Sequence, residues 1–349
     1  MKILYGVQGT GNGHITRARL MAKALKKQDI EVDFLFSGRP VEQYFDMHDF
    51  GDYQCYKGLS FVTESGRVNM LKTAKRNLSA AIFTEVNTLD LGGYDLVLND
   101  FEPISAWAAK QQKITSISIS HQAALKYPVP KQGSSWFDEL LLHHFAPVDL
   151  SLGCHWHHFG CPILPPFVEV PDHVQQLSHQ ILVYLPFENA DNIAEFLKPF
   201  SQFQFYVYHS VKPILPLPDN IHWHGFSRQG FKQHLAQCGG VIGNAGFELA
   251  SEAMALGKKL LVKPLLGQFE QSANVAALDL LAAADSMQTL DRSKLFRWLK
   301  APSPKPISYP KVGDALAIWL KSGQWHQSQS LCDELWAQVE LPENWHKRQ

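Results

Sequence analysis

The sequence predicts an α/β protein of two doubly wound, Rossmann-like parallel-sheet domains facing a cleft, and three observations carry that prediction. Short apolar runs alternate with helical patterns from the first residues, the alternation restarts near residue 180, and a proline-rich stretch separates the halves. At 349 residues the chain is long enough for two cores.

In the first half, residues 3–7, 32–36, 96–98, 115–119 and 150–152 read as strands. They are apolar without alternation, the mark of parallel strands buried on both faces. Helical patterns fall between them at 14–27, 67–83, 103–112 and 135–143. The second half repeats the scheme with strands at 181–185, 203–208, 239–242 and 259–262. Between the halves, Cys161-Pro162-Ile163-Leu164-Pro165-Pro166 cannot continue a helix or a central strand, so it reads as a stiff linker. The expected domains are 1–165 and 172–320, with a C-terminal helical segment, 321–349, packing back on the first. A second proline-rich patch at 302–310 precedes a helical stretch around 327–339.

Composition narrows the function classes. Charged residues make up 19% and hydrophobic ones 45%, a globular balance. A net charge of −1 gives no long-range attraction to a polyanion, so nucleic acid is not an expected partner. Five scattered cysteines suit a reducing compartment better than a disulfide framework. Met1-Lys2-Ile3-Leu4-Tyr5-Gly6-Val7 reads as a first strand and not a signal peptide, and no apolar run nears the roughly 20 residues that span a bilayer. The expected location is cytoplasmic, or peripheral to the inner face of the membrane.

The most informative stretch is Gly243-Asn244-Ala245-Gly246, which joins an apolar strand to a helix. Small residues let backbone approach a ligand closely, and the helix start offers unpaired N–H groups to a phosphate. Glu252, two turns into that helix, and the cluster Glu270-Gln271 after the next strand supply groups for sugar hydroxyls. A site that grips a diphosphate and sugars together suggests a nucleotide-sugar enzyme.

A second glycine loop, Gly9-Thr10-Gly11-Asn12-Gly13-His14, follows the first strand. Its spacing departs from the dinucleotide fingerprint, and no acidic residue ends the second strand, which argues against NAD. Ser37 and Arg39 would suit a 2′-phosphate, so an NADP enzyme stays an alternative. His14 at a helix start is expected to stay neutral and accept a proton, although it also fits a plain turn cap. Asp100, where a parallel strand ends on the same sheet edge, is the expected orienting acid; its alternative role is N-cap of the helix near Pro103, with Glu102 a less favoured orienter. His121 and Gln122 end the next strand and are candidates for an acceptor hydroxyl or phosphate, or for a loop role.

Together these residues resemble the GT-B glycosyltransferases, in the branch of the lipid-II-forming N-acetylglucosaminyltransferase and the UDP-glycosyltransferases, and most closely a bacterial and archaeal group of undefined substrate. The resemblance implies that the second domain binds the nucleotide sugar. In that frame the Gly243 to Gly246 backbone takes the diphosphate, Glu252 the ribose diol, and Glu270 and Gln271 the donor sugar, while Phe226 and Arg228 fall near the base-binding turn. Gly11, Asn12, Gly13 and His14 match the first glycine loop, and Asp100 the partner acid of the plant enzymes. His121-Gln122 is similar to an acceptor-side His-Glu-Gln motif without its middle residue.

No Asp-x-Asp triplet occurs, so a metal clamp on the diphosphate has no obvious ligands. The paired glutamates of one large retaining class are broken, since Asn244 stands eight before Glu252. These points favour an inverting, metal-independent transfer without a cofactor to a glycan, lipid-linked or small-molecule acceptor. A nucleotide-sugar hydrolase, a 2-epimerase or a non-catalytic binder would use the same loop. Cys154-His155-Trp156-His157-His158-Phe159-Gly160-Cys161 lacks the usual zinc spacing and is not taken as a metal site. The basic pattern at 67–83, with Lys72, Lys75 and Arg76, fits weak membrane contact or an ordinary surface helix. Nine tryptophans, five of them after residue 297, are read chiefly as packing groups.

Overall fold

The computed structural model describes residues 1–59, 63–64, 67–68, 81–133, 136–342 and 345. The first lobe opens with β1 (Lys2–Gln8), α1 (Asn12–Lys27), β2 (Glu31–Ser37) and β3 (Gln54–Tyr56). A short antiparallel pair, β4 (Thr63–Glu64) and β5 (Arg67–Val68), precedes α2 (Ala81–Thr88). Then come β6 (Leu96–Asp100), α3 (Pro103–Gln112), β7 (Ser116–Ser120), α4 (His121–Ala124), α5 (Trp136–His144), β8 (Leu150–Cys154) and β9 (Ile163–Leu164). The main sheet runs β3-β2-β1-β6-β7-β8-β9, with every adjacent pair parallel.

The second lobe repeats the plan. Its elements are β10 (Leu177–Tyr184), α6 (Ala190–Leu197), β11 (Gln204–Tyr208), β12 (Ile221–His224), α7 (Arg228–Gln237) and β13 (Cys238–Asn244). They continue with α8 (Phe247–Ala255), β14 (Lys259–Lys263), α9 (Phe269–Leu281), β15 (Asp285–Ser286) and α10 (Arg292–Lys300). This sheet runs β12-β11-β10-β13-β14-β15, again all parallel. In both sheets the strand order reverses beside the first strand, which opens a crevice at the carboxyl ends of β1 and β6 and of β10 and β13.

Burial explains why the strands read as unbroken apolar runs. Ile3, Leu4, Tyr5 and Val7 of β1 are all fully buried, as helices cover both faces. Gly6 lacks a side chain because the first turn of α3 lies against it; a β-carbon there would fall 1.9 Å from Ser105 Oγ.

The linker is partly a strand. Ile163 and Leu164 extend the first sheet as β9, and only then does the chain cross over. Within the crossover, Glu169 accepts from Lys23 of α1 at 2.8 Å and from Lys232 of α7 at 2.9 Å, joining the lobes. Its burial opposes the charge, but the two ammonium groups prevail and hold the carboxyl down at about 2. The return to the first lobe begins earlier than residue 321. Helix α11 (Val312–Ser322) already lies on α1, through Lys27 to Asp314 at 2.9 Å and Lys321 to the Gln28 carbonyl at 2.6 Å. Helix α12 (Ser328–Trp336) follows, and the Trp336 indole donates to the Ile163 carbonyl at 2.6 Å. Trp298, Trp319 and Trp345 are buried packing groups.

The helix expected over 67–83 differs at both ends. Arg67 and Val68 are a strand, residues 81–83 open α2, and Lys72, Lys75 and Arg76 lie outside the described residues. No helix among the described residues is long and apolar enough to cross a membrane.

Candidate active site

In the first lobe, α1 starts right after the glycine loop, with Gly11 as N-cap and no side chain capping its first N–H groups. His14 lies in that first turn. Asp100 ends the neighbouring strand β6, in register with Val7 of β1, so the two meet across the sheet edge. His14 Nδ1 is 2.8 Å from Asp100 Oδ1. Arg17, one turn further on, donates to both Asp100 oxygens, Nε to Oδ2 and Nη2 to Oδ1, each at 2.8 Å. An ionised carboxylate only accepts, so the hydrogen between the two sits on His14 Nδ1, which also lies 3.2 Å from Arg17 Nη2. Burial works against the Asp100 charge, yet Arg17 and then His14 outweigh it and hold the carboxyl below its usual range. Asp100 is not the cap of α3. Glu102 is, accepting from the Ile104 and Ser105 N–H groups at 2.8 and 2.7 Å.

His14 Nε2 lies beside Gln122 of the same lobe, which in turn reaches the second. Gln122 Nε2 lies 3.5 Å from His14 Nε2 and donates to Glu270 Oε2 at 2.9 Å, so three expected site residues meet at one point between the lobes. His121 is a different case. Its ring is buried, with Nδ1 at 3.0 Å from the Cys154 carbonyl and Nε2 at 2.6 Å from Asn274 Oδ1. It also stacks on Phe247, with ring centroids 4.2 Å apart. Both nitrogens are engaged, so this arrangement leaves none for an acceptor; His121 joins the two lobes instead.

In the second lobe, Gly243 and Asn244 end β13 and Gly246 is the N-cap of α8. Gly243, Asn244 and Ala245 are buried, while a β-carbon on Gly246 would meet nothing within 4 Å. Asn244 donates to the Lys263 carbonyl at 2.9 Å and leaves its Oδ1 buried without a partner. Neither α8 nor α9 has a side-chain cap, whereas α3, α4, α6, α7 and α10 each have one. The two C-terminal helices are uncapped as well. Gln271, beside Glu270, is buried and accepts from the Leu265 N–H at 2.8 Å, which fixes the turn before α9.

An interdomain cavity of about 820 Å³, counting its open mouth, runs along the flank of α8. Asn12 and Gly13 line it from the first lobe, and Phe226, Arg228 and Glu252 from the second. Neither His14 nor the Gly243–Gly246 backbone is among its lining residues. Phe226 stacks on Phe45 of the first lobe with centroids 6.1 Å apart, and Arg228 lies 3.6 Å from Asp49. Burial pushes the Glu252 carboxyl up to about 7, with Lys232 opposing, Glu169 reinforcing and Arg228 opposing.

Two residues stand out that the sequence did not single out. Buried Arg17 spans the lobes, pairing with Asp100 on one side and, through Nη1, with Glu248 Oε1 of α8 on the other. Its spacing from His14, three residues on one helix face, was the available signal. Glu248 passes so close to the first glycine loop that a β-carbon on Gly13 would fall 2.9 Å from its Cγ. Gly13→Ala should therefore cost about 1–3 kcal/mol of stability in urea unfolding, with the loss reduced when Glu248 is also shortened to alanine.

The 154–161 segment serves packing. Cys154 and Trp156 are fully buried, and the Trp156 indole donates to Ser251 Oγ of the second lobe at 2.9 Å. Among the described residues, no group of three or more His, Cys, Asp or Glu side chains is placed to hold a metal ion.

Comparison with known proteins agrees with this architecture. The family model described as glycosyl transferase family 1 matches residues 1–139 and 161–301. No curated protein matches the chain in sequence. Among solved structures, the chain is similar to the glycosyltransferase SnogD from Streptomyces nogalater, at 16% identity and a TM-score of 0.54, covering 100% of this chain and 98% of that one. It is similar to the glycosyltransferase VinC, at 14% identity and a TM-score of 0.54, covering 96% of each chain. For the rhamnosyltransferase SpnG the figures are 15% identity and a TM-score of 0.53, covering 99% of this chain and 98% of that one. With the family model spanning both lobes and the two sheets in the matching arrangement, the chain belongs to glycosyl transferase family 1 and is a glycosyltransferase of the GT-B fold.

Proposed function

We propose that the enzyme moves a sugar from a nucleoside-diphosphate donor of the UDP class to an acceptor hydroxyl, with inversion, without a metal, and with His14 as base. The observation that carries this reading is the His14–Asp100 contact of 2.8 Å, which suits an imidazole protonated on Nδ1 and basic at Nε2, beside Gln122. In the proposed step the acceptor O–H gives its proton to His14 Nε2 as the oxygen bonds to the sugar C1. The bond from C1 to the phosphate oxygen breaks, and the diphosphate leaves with the electron pair. Asp100 stabilises the imidazolium that forms, while Arg17 holds that carboxylate ionised and in place.

The uncapped starts of α8 and α9 support a diphosphate site near Gly246, because their first N–H groups lack side-chain acceptors and the backbone there has open space. Such donors stabilise a leaving oxyanion by about 3–4 kcal/mol in a closed site. Glu252, Phe226 and Arg228 in the cavity wall suit a ribose and a base. Glu270, whose Oε2 accepts from Gln122, suits a donor hydroxyl, and Asn12 and Gly13 suit the acceptor side. The complexes of VinC with DTDP and of SpnG with spinosyn aglycone support a nucleotide and a separate acceptor for this chain too.

The test is a transfer assay with UDP-, dTDP-, GDP- and ADP-sugars against glycan, lipid-linked and small-molecule acceptors. The expected product has the mass of acceptor plus sugar and appears without added metal and in the presence of chelator. Free sugar or an epimer formed without acceptor would favour the hydrolase or epimerase reading instead.

A further inference from the structure

Glu248 is the second residue of α8, at the helix start read above as the diphosphate site. It is 7% exposed and lines the interdomain cavity. Its Oε1 receives Arg17 Nη1, while its Oε2 is buried without a hydrogen-bond partner. A carboxylate in that position is an anion placed where an anion has to bind.

Counting the charges resolves the conflict. Arg17 gives two hydrogen bonds to Asp100 and one to Glu248. One guanidinium thus faces two buried carboxyl groups, Asp100 and Glu248, and gives Glu248 a single hydrogen bond. The other groups acting on Glu248 are Glu252 on its own helix and Glu270 from α9. The Cys154 thiol of β8 and the Tyr5 hydroxyl of β1 also share its surroundings. Arg19, Arg39, Arg228 and Lys232 line the same cavity, but Arg19 and Arg228 pair with Asp49, Arg39 with Asn12, and Lys232 with Glu169. A proton on Glu248 leaves the guanidinium facing one carboxylate, Asp100, which it binds through two hydrogen bonds.

We propose that Glu248 binds the donor as a neutral carboxylic acid, with Oε1 accepting from Arg17 and the Oε2 hydroxyl donating to an oxygen of the nucleoside diphosphate. The hydrogen-bond pattern already has the required sense, since one oxygen is filled by a donor and the other is open. Burial pushes the carboxyl up to about 8, with Arg17 opposing and Asp100, Glu252 and Glu270 reinforcing. An arriving diphosphate adds negative charge beside it and favours the protonated form further. The proton removes a repulsion and supplies a donor at the same place. This inference rests on the reading of the α8 start as the diphosphate site.

The experiment is calorimetric titration of wild type and Glu248→Gln with UDP between pH 7.0 and 9.0, with dTDP, GDP, ADP and CDP run alongside. Two buffers of different ionisation enthalpy at the upper pH report proton uptake. Wild-type affinity is expected to approach a tenfold loss per pH unit above about 8, with uptake of close to one proton on binding. Glu248→Gln keeps an N–H donor of similar shape, so it should bind within a few-fold of wild type at pH 7.0 and lose that added slope. A wild-type response that is flat with pH and takes up no proton overturns the proposal, whatever the variant does. Equal slopes in the two proteins overturn it as well. If none of the five nucleotides binds wild type at any pH, the diphosphate site itself is contradicted, an outcome distinct from binding that ignores Glu248.

Discussion

His14→Ala is expected to lower the rate of transfer by about 10²–10⁴-fold while leaving nucleotide affinity unchanged. The separation follows from the geometry. His14 is not among the residues lining the cavity that holds Glu252, Phe226 and Arg228, and its Nε2 lies beside Gln122. It is held by Asp100, which keeps two hydrogen bonds from Arg17 when the imidazole is gone. The fold should therefore tolerate the change. Initial rates at saturating donor, set beside a nucleotide titration of the same protein, check it. Equal loss of rate and of affinity would mean that His14 holds the donor and does not deprotonate the acceptor.

Arg17→Leu should be the most damaging substitution for stability, at about 3–5 kcal/mol near pH 7. The guanidinium is 2% exposed and is the cation between Asp100 and Glu248, so its removal leaves Glu248 buried without its hydrogen-bond partner and Asp100 with His14 alone in place of three contacts. The pH dependence has a definite sign. In wild type the Asp100 carboxyl is held below its usual range, so its contribution is present above the unfolded carboxylate range and fades as pH falls through the folded value. Glu248 acts oppositely: raised to about 8, it favours the fold at low pH and costs stability as pH rises from about 4.5 toward 8. Without Arg17 both carboxyl groups are raised by burial, so the variant should regain stability relative to wild type on going from pH 7 to 5.5. Adding Glu248→Gln to Arg17→Leu should recover part of the loss. Urea unfolding of the single and double variants at both pH values measures this, and a loss that neither acid nor the second substitution relieves would contradict a shared-charge role.

The fold was legible because it is encoded locally. Apolar runs such as residues 3–7 and 259–262 needed no partner to be read as buried parallel strands, and the restart near 180 gave the second lobe. The His14–Asp100 meeting was legible for a related reason: in a doubly wound sheet both residues end neighbouring elements at one edge. The capping choice between Asp100 and Glu102 was not, since either carboxylate precedes Pro103 at a workable distance. What escaped were the side-chain contacts made between the lobes. Glu248 and Arg17 meet across 231 residues, and Asn274 reaches the His121 ring across 153. No periodicity or spacing in either segment announces such a contact. Glu248 resembled an ordinary first-turn acid, and only Arg17 beneath it and the gap at Gly13 make it part of the site.

Glu252→Ala under a nucleotide thermal-shift titration bears most directly on the donor cavity between the lobes. A nucleoside diphosphate at 100 times its dissociation constant adds about 2.7 kcal/mol to the stability of the protein that binds it. Loss of a charged acceptor to a ribose diol removes about 1.5–3 kcal/mol of that binding, so the variant should need roughly tenfold or more ligand for the same shift. The expected result is a clear rise in melting temperature of wild type with at least one nucleoside diphosphate and a displaced response in Glu252→Ala. No shift with any of them, or identical titrations of the two proteins, would contradict a nucleotide held beside α8.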